Sequence, residues 1–197
     1  MVQDGLTDLP AGKLAALVTY LERDLAVPVH PEALGAQDHL VRLGAGEIGR
    51  YRDIFRAVGQ DWLWFSRLAM AEPELAAILA NPRVFALALH RDGRDIGLLE
   101  LDFSEAGTAY LAFFGLVSAA IGDGIGRALM AEGLRRAKAA GFQRIAVNTC
   151  TLDHPRALEF YQRSAFVVTR RAIEIFDDPR LTGAVPRGAA RHIPLID

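Results

Sequence analysis

The sequence predicts an α/β (α+β) fold: a mixed sheet with helices on its faces. Three observations carry that reading. Between Val84 and Val117, three apolar stretches are separated only by short polar turns, the pattern of strands joined by hairpins. After Val117, helix-like and strand-like segments alternate. Before Asn81, apolar residues recur at helical spacing, so the order is not a regular βαβ alternation.

The elements follow in chain order. Thr7, Asp8 and Pro10 read as a helix start, with capping side chains ahead of a first-turn proline. Leu14, Leu17, Val18, Leu21 and Leu25 then fit a helical stripe, and VPVHP breaks it. This predicts an N-terminal helical extension over 1–35. HLVRL (39–43) reads as a short strand, and Ile48, Tyr51, Phe55 and Val58 as a helix. Short helices are expected over 61–70 and 74–80. VFALALH (84–90) and IGLLELDF (96–103) are strands around an Asp92-Gly93 hairpin turn. AYLAFFGLV (109–117) is a buried strand by its unbroken apolar run. A glycine turn opens a helix that runs to about 140 and closes on Gly141. RIAVNTC is a strand, 155–163 a helix and FVVTRRAIEIF a strand. The tail, 179–197, is rich in proline and glycine and reads as irregular. The domain proper spans 36–178. No internal repeat or low-complexity tract is found.

Composition narrows the function classes. With 197 residues and 51% hydrophobic content, the chain can bury one proper core. A net charge of -2 argues against nucleic acid as a partner. Cys150 is the only cysteine, so no internal disulfide can form and a reducing compartment fits. MVQDGLTDLP shows no basic region followed by an apolar run. The longest apolar stretch, 109–121, is interrupted and short of the roughly 20 residues of a spanning helix. A cytoplasmic protein with no membrane partner is the expectation. The five histidines show no metal-ligand spacing, so no metal is expected.

The chemistry concentrates in AAIGDGIGRALM (119–130), where Gly122, Gly124 and Gly126 precede a helix. Such a turn bares backbone N–H groups at a helix N-terminus, an anion site for which phosphate is the usual guest. A sharp structural corner is the alternative. The dinucleotide fingerprint fits badly, because the third glycine comes one place early and RIAVNTC offers no acid. A P-loop needs Lys-Ser/Thr where Arg127-Ala128 stands.

LVSAAIGDGIGRALM instead resembles the GNAT acyl-CoA-dependent N-acetyltransferase superfamily. Gly124 and Gly126 match its glycine positions, while Ile121 stands at its Gln/Arg position and Asp123 lies in the loop. DHPRALEFYQRSAF resembles the family's later helix: Ala157, Tyr161 and Phe166 match, His154 replaces an Asn and Ala165 a Gly. TCTLDHP looks like a bacterial branch of unknown substrate. The resemblance runs from about residue 39 to residue 176.

It implies a mostly antiparallel sheet whose middle strands, 109–117 and 144–150, splay around acetyl-CoA. Leu116 and Val117 would hold the pantetheine. Gly122, Gly124, Ile125, Gly126 and Arg127 would take the pyrophosphate. Tyr161 would protonate the departing thiolate, unless it merely packs its ring. Trp62, Trp64 and Arg67 fall in the region that walls the acceptor pocket, where core packing is the rival reading. Glu100 interrupts an apolar strand and shares a face with Leu98 and Asp102. It is the candidate base, beside an ordinary surface acid or a water chain. Cys150 reads as a small buried thiol before it reads as a nucleophile. The expected activity is acetyl transfer to a primary amine of a small molecule or peptide, with a homodimer left open. The rivals are a non-catalytic CoA-binding module of the same fold and a protein whose loop serves another nucleotide.

Overall fold

The computed structural model describes residues 4–197. Seven strands form one sheet in the order β2-β3-β4-β5-β6-β1-β7. The strands are β1 (Lys13–Asp24), β2 (His39–Arg42), β3 (Val84–Arg91), β4 (Arg94–Asp102), β5 (Thr108–Leu116), β6 (Arg144–Cys150) and β7 (Val167–Asp177). Only β5 and β6 run parallel; every other neighbouring pair is antiparallel. The helices are α1 (Ile48–Gly59), α2 (Ser66–Ala69), α3 (Glu72–Ala80), α4 (Ile125–Ala139) and α5 (Ala157–Arg163).

Strand alternation divides the core. Leu98 packs with Tyr51, Phe55 and Leu75 on the α1–α3 face. Its neighbour Leu99 packs with Leu129, Leu134 and Val147 on the α4–α5 face. A period of two sends successive side chains to opposite faces, so a strand covered on both sides reads as an unbroken apolar run. That is why β3, β4 and β5 were legible.

The N-terminal helix is not formed. Residues 13–24 are β1, which pairs with both β6 and β7 inside the sheet. Buried positions fall at Ala16, Val18, Thr19, Leu21, Arg23 and Leu25, so the alternation changes phase at Val18/Thr19, next to the register irregularity at Tyr20/Leu21. A two-residue period with one slip produces a three-residue step, and that step mimics helical spacing. Val18, Thr19 and Tyr20, all strand formers, sit at the slip. The stretch 61–70 is also not one helix: Leu63 takes φ +54° and divides a short 3-10 turn from α2.

The tail, 178–197, holds no helix or strand, yet it is packed. Val185, Ala189 and Ala190 bury against Leu63 and Phe65. No helix among the described residues is long and apolar enough to cross a membrane.

Candidate active site

The site begins where two strands part. β5 and β6 are paired only from Thr108–Tyr110 to Arg144–Ala146. Beyond that, Leu111–Leu116 and Val147–Cys150 diverge, and a skipped residue, Ala112, bends β5 in its ladder with β4. The Tyr110 hydroxyl donates to the Asn148 amide oxygen across the point of divergence. The gap opens into a cavity of about 640 Å³ between β5, β6, α4, α5 and the α1–α2 connection.

One end of the cavity is the glycine turn. Gly124 is the N-cap of α4 at φ +78°, and Gly122 stands at φ +127°. Both conformations are strained for any residue with a Cβ. Ile121 N–H donates to Ser118, and Arg127 and Ala128 N–H donate to Gly124. Among the described residues, the intervening N–H groups of 122–126 find no protein acceptor. Five unpaired donors at the positive end of a helix form an anion cradle.

Two expectations at this end need correcting. The Arg127 N–H is not available, being used in the first turn of α4, although the side chain borders the cavity and pairs with Glu32 at 3.3 Å. Val117 does not line the cavity, and its N–H donates to Ile96 across the sheet. Leu116, Gly122, Gly124 and Gly126 do line it, while the side chain of Ile125 is buried in the core.

Tyr161 lies at the inner wall of the same cavity, 7% exposed. The end of α5 fixes it. Ala165 N–H donates to Gln162 and Phe166 N–H to Tyr161, with Ala165 at φ +61°, a Schellman closure. The Phe166 ring then packs on Tyr161 at 5.8 Å. The Tyr161 hydroxyl has no hydrogen-bond partner among the described residues. Burial, with the nearby Asp153 charge and Tyr110 behind it, pushes the phenol well above its usual pKa. It is therefore protonated at neutral pH.

The opposite wall carries Trp62, Trp64 and Phe113. Trp64 packs on Phe55 and Phe113, close against Gly59 and Gly115. Its indole N–H donates to Asp153 at 3.0 Å. Asp153 also accepts from the Thr149 hydroxyl and the Cys150 N–H, both at 2.8 Å. Asp153 thus joins the end of β6 to the α1–α2 connection and faces the cavity. Sequence reasoning did not single it out. The Asp before His154 was visible, but its partner Trp64 lies 89 residues away.

Glu100 and Arg67 are placed differently from expectation. Glu100 is fully buried and does not border the cavity. It accepts from the Tyr51 hydroxyl and, at 2.5 Å, from Arg67. It is neither an acid on a solvated face nor open to an amine. Arg67 is committed to that pair and stands over the Phe113 ring at 5.2 Å, outside the cavity lining. Cys150 is partly buried, and burial with the Asp153 charge pushes its thiol up to about 11, which suits an unreactive side chain. Among the described residues, no cluster of three His, Cys, Asp or Glu side chains is placed to hold a metal.

The family model described as Acetyltransferase (GNAT) family matches residues 51–166. The chain belongs to the GNAT acetyltransferase family. No curated protein matches its sequence. Solved structures share the fold at low identity. A functionally unknown conserved protein from Staphylococcus epidermidis superposes with a TM-score of 0.62 at 12% identity, over 85% of this chain and 63% of that one. A GCN5-related N-acetyltransferase from Sphaerobacter thermophilus gives 0.56 at 16%, over 83% and 52%. An aminoglycoside acetyltransferase from an uncultured soil metagenomic sample, in complex with sisomicin, gives 0.54 at 15%, over 65% and 87%. This GNAT chain spans less than two thirds of the first two proteins' length. Membership supports acetyl transfer as the reaction class.

Proposed function

We propose that this protein transfers an acetyl group from acetyl-CoA to a primary amine of a small molecule or peptide, by direct attack within a ternary complex. The observation that carries the reading is continuity. One cavity runs from the glycine turn before α4, where Gly122, Gly124 and Gly126 line it, through the gap between β5 and β6, to Tyr161. Pyrophosphate suits the first part, and the extended pantetheine arm suits the second. Leu116 lines the arm, and Gly122, Gly124 and Gly126 bring bare backbone to the phosphates.

The amine nitrogen attacks the thioester carbonyl carbon; the C–N bond forms and the C–S bond breaks. Tyr161 gives its proton to the leaving thiolate, a role supported by its place on the cavity wall and a hydroxyl that no protein group among the described residues engages. Asp153, at the cavity wall beside Trp64, holds the incoming ammonium, and water carries off the proton released from nitrogen. Trp62 and Trp64 wall the acceptor. Glu100 is left out of the proton path because it is fully buried and does not border the cavity, whereas Asp153 does. We place the protein in the cytoplasm as a homodimer, with no metal, nucleic acid or membrane partner.

Calorimetric titration with acetyl-CoA, CoA, ATP and NAD tests the cofactor. Micromolar binding of acetyl-CoA and CoA alone is expected; preference for ATP or NAD overturns the reading. An amine screen follows, and it includes aminoglycosides because Asp153, Glu159 and Glu174 border the cavity. Tyr161→Phe is expected to lower kcat by about 10²–10⁴-fold with acetyl-CoA affinity retained. Binding without turnover of any amine would instead favour a CoA-binding module.

A further inference from the structure

β7 is the outermost strand of the sheet, and β1 is its one strand neighbour among the described residues. The outward backbone groups of an edge strand are a template for another chain. Along this strand Val167, Ile173 and Ile175 are 68%, 56% and 55% exposed, which is far from the usual fate of such residues in a strand.

The hydrogen-bond phase of that edge can be read from β1. Leu17 donates its N–H to the Thr151 hydroxyl, and its carbonyl accepts from Thr151 N–H. Both groups therefore point away from β7. Leu17 faces Ile173 in the antiparallel ladder, so this is a non-hydrogen-bonded pair, and the peptide groups of Ile173 also point outward. By alternation Arg171 and Ile175 share that direction. The outer edge thus offers donors and acceptors at 171, 173 and 175.

We propose that two copies of this protein join edge to edge through β7, antiparallel about a twofold axis at Ala172. In this register Arg171 of each copy exchanges both backbone hydrogen bonds with Ile173 of the other, the two residues whose groups are free. Ala172 meets its own copy in a non-hydrogen-bonded pair, where Cα atoms approach to about 4.5 Å; a small side chain suits that position. Arg170 of each copy lies opposite Glu174 of the other, also in a non-hydrogen-bonded pair, with opposite charges at close range. A register centred one residue later, on Ile173, would place Glu174 opposite Ala172 and lose that match. The Arg171 methylenes cover Ile173 of the partner copy. Because Glu174 borders the main cavity, each copy brings Arg170 to the rim of the other copy's site. The proposal rests on the homodimer reading and is independent of the acetyl-transfer reading.

Sedimentation equilibrium of the full chain tests it, with Arg170→Glu, Glu174→Arg and the double variant. The wild type is expected at twice 21.5 kDa. Each single variant places like charges opposite each other twice, and should weaken self-association by at least about tenfold. The double variant should restore it. Restoration also separates lost pairing from misfolding, which matters because Arg170 stacks on Tyr20 of its own chain. A dimer unmoved by either single change would overturn the β7 register while leaving the homodimer standing. A wild type that stays monomeric at about 100 µM would overturn both.

Discussion

At the scale of single residues, Ala165 shows how a side chain can sit at odds with its backbone. It occupies the left-handed position that closes α5 and holds φ +61°. A Cβ there costs about 1–2 kcal/mol, and replacing it by glycine returns about 0.4–1 kcal/mol of unfolded-chain entropy. Ala165→Gly should therefore stabilise the protein by about 0.5–1 kcal/mol in urea titration, with acetyl-CoA affinity unchanged. Glu100 makes the opposite case. Its charge is matched by Arg67, and burial opposes the Arg67 charge while Glu100 and Tyr51 favour it. Removing one partner of such a pair costs about 3–5 kcal/mol. Glu100→Gln keeps the hydrogen-bonding shape and should lie at or below the low end of that range, seen as a lower urea midpoint. Loss of rate at full stability would instead return Glu100 to the proton path. The sequence showed Glu100 as an acid interrupting apolar residues, but not its partners. Tyr51 lies 49 residues away and Arg67 33, and only the packing of α1 and α2 on β4 brings them together. Tyr161 is singled out in the sequence only by its place in the Ala-Tyr-Phe pattern of the resemblance, and the fold sets it on the cavity wall with Tyr110 and Asp153 near it.

Among the elements, the strands with near-continuous apolar runs and the helix behind the glycine turn could be read from sequence, whereas β1 could not. What hid it was one ladder irregularity, which turned a two-residue period into a step of three. The partners of β1 are also remote in sequence, since β6 and β7 come from the far end of the chain. The start of α4 was readable because its geometry is encoded in consecutive residues. Gly126 separates the two purposes a glycine can serve there. Its φ is not in the left-handed region, and an added Cβ would meet nothing nearer than Leu116 Cδ1 at 3.7 Å. Within the first turn of a helix, alanine is favoured over glycine by up to about 1 kcal/mol. Gly126→Ala should leave the melting temperature equal or raised, yet weaken acetyl-CoA binding in calorimetry, because the methyl group occupies space between the cradle and the pyrophosphate. Gly124→Ala should lower both, since strain is added at φ +78°. Equal acetyl-CoA affinity in wild type and Gly126→Ala would mean that the phosphate lies elsewhere.

The whole molecule is closed by its tail, which composition alone marked as irregular. Asp178 N–H donates to the Gly12 carbonyl, and Gly12 N–H to Ile196, so the tail ties the entrance of β1 to the chain's last residues. Arg180 is the centre of that closure. It is 5% exposed, holds Asp178 through Nη2 at 2.6 Å and Nε at 2.9 Å, and donates to the Ile193 carbonyl at 2.8 Å. The tail reaches the cavity wall where His192 packs on Trp62 at 5.6 Å. Hydrogen bonds from Arg180 are the leading cause that holds the Asp178 carboxyl below its usual range, against the cost of burial. A depressed carboxyl contributes stability that is present above its unfolded pKa, near 3.8, and is lost as pH falls through the folded value. Arg180→Ala leaves a buried carboxylate without its partner, so the loss should be about 3 kcal/mol at pH 7. In the variant Asp178 can escape by taking a proton, so the gap between wild type and variant should narrow once pH falls below about 4. Urea titrations at pH 7 and pH 3.5 measure both quantities. A deficit that is the same at the two values would mean that Arg180 works through the Ile193 carbonyl and packing rather than through the charge on Asp178.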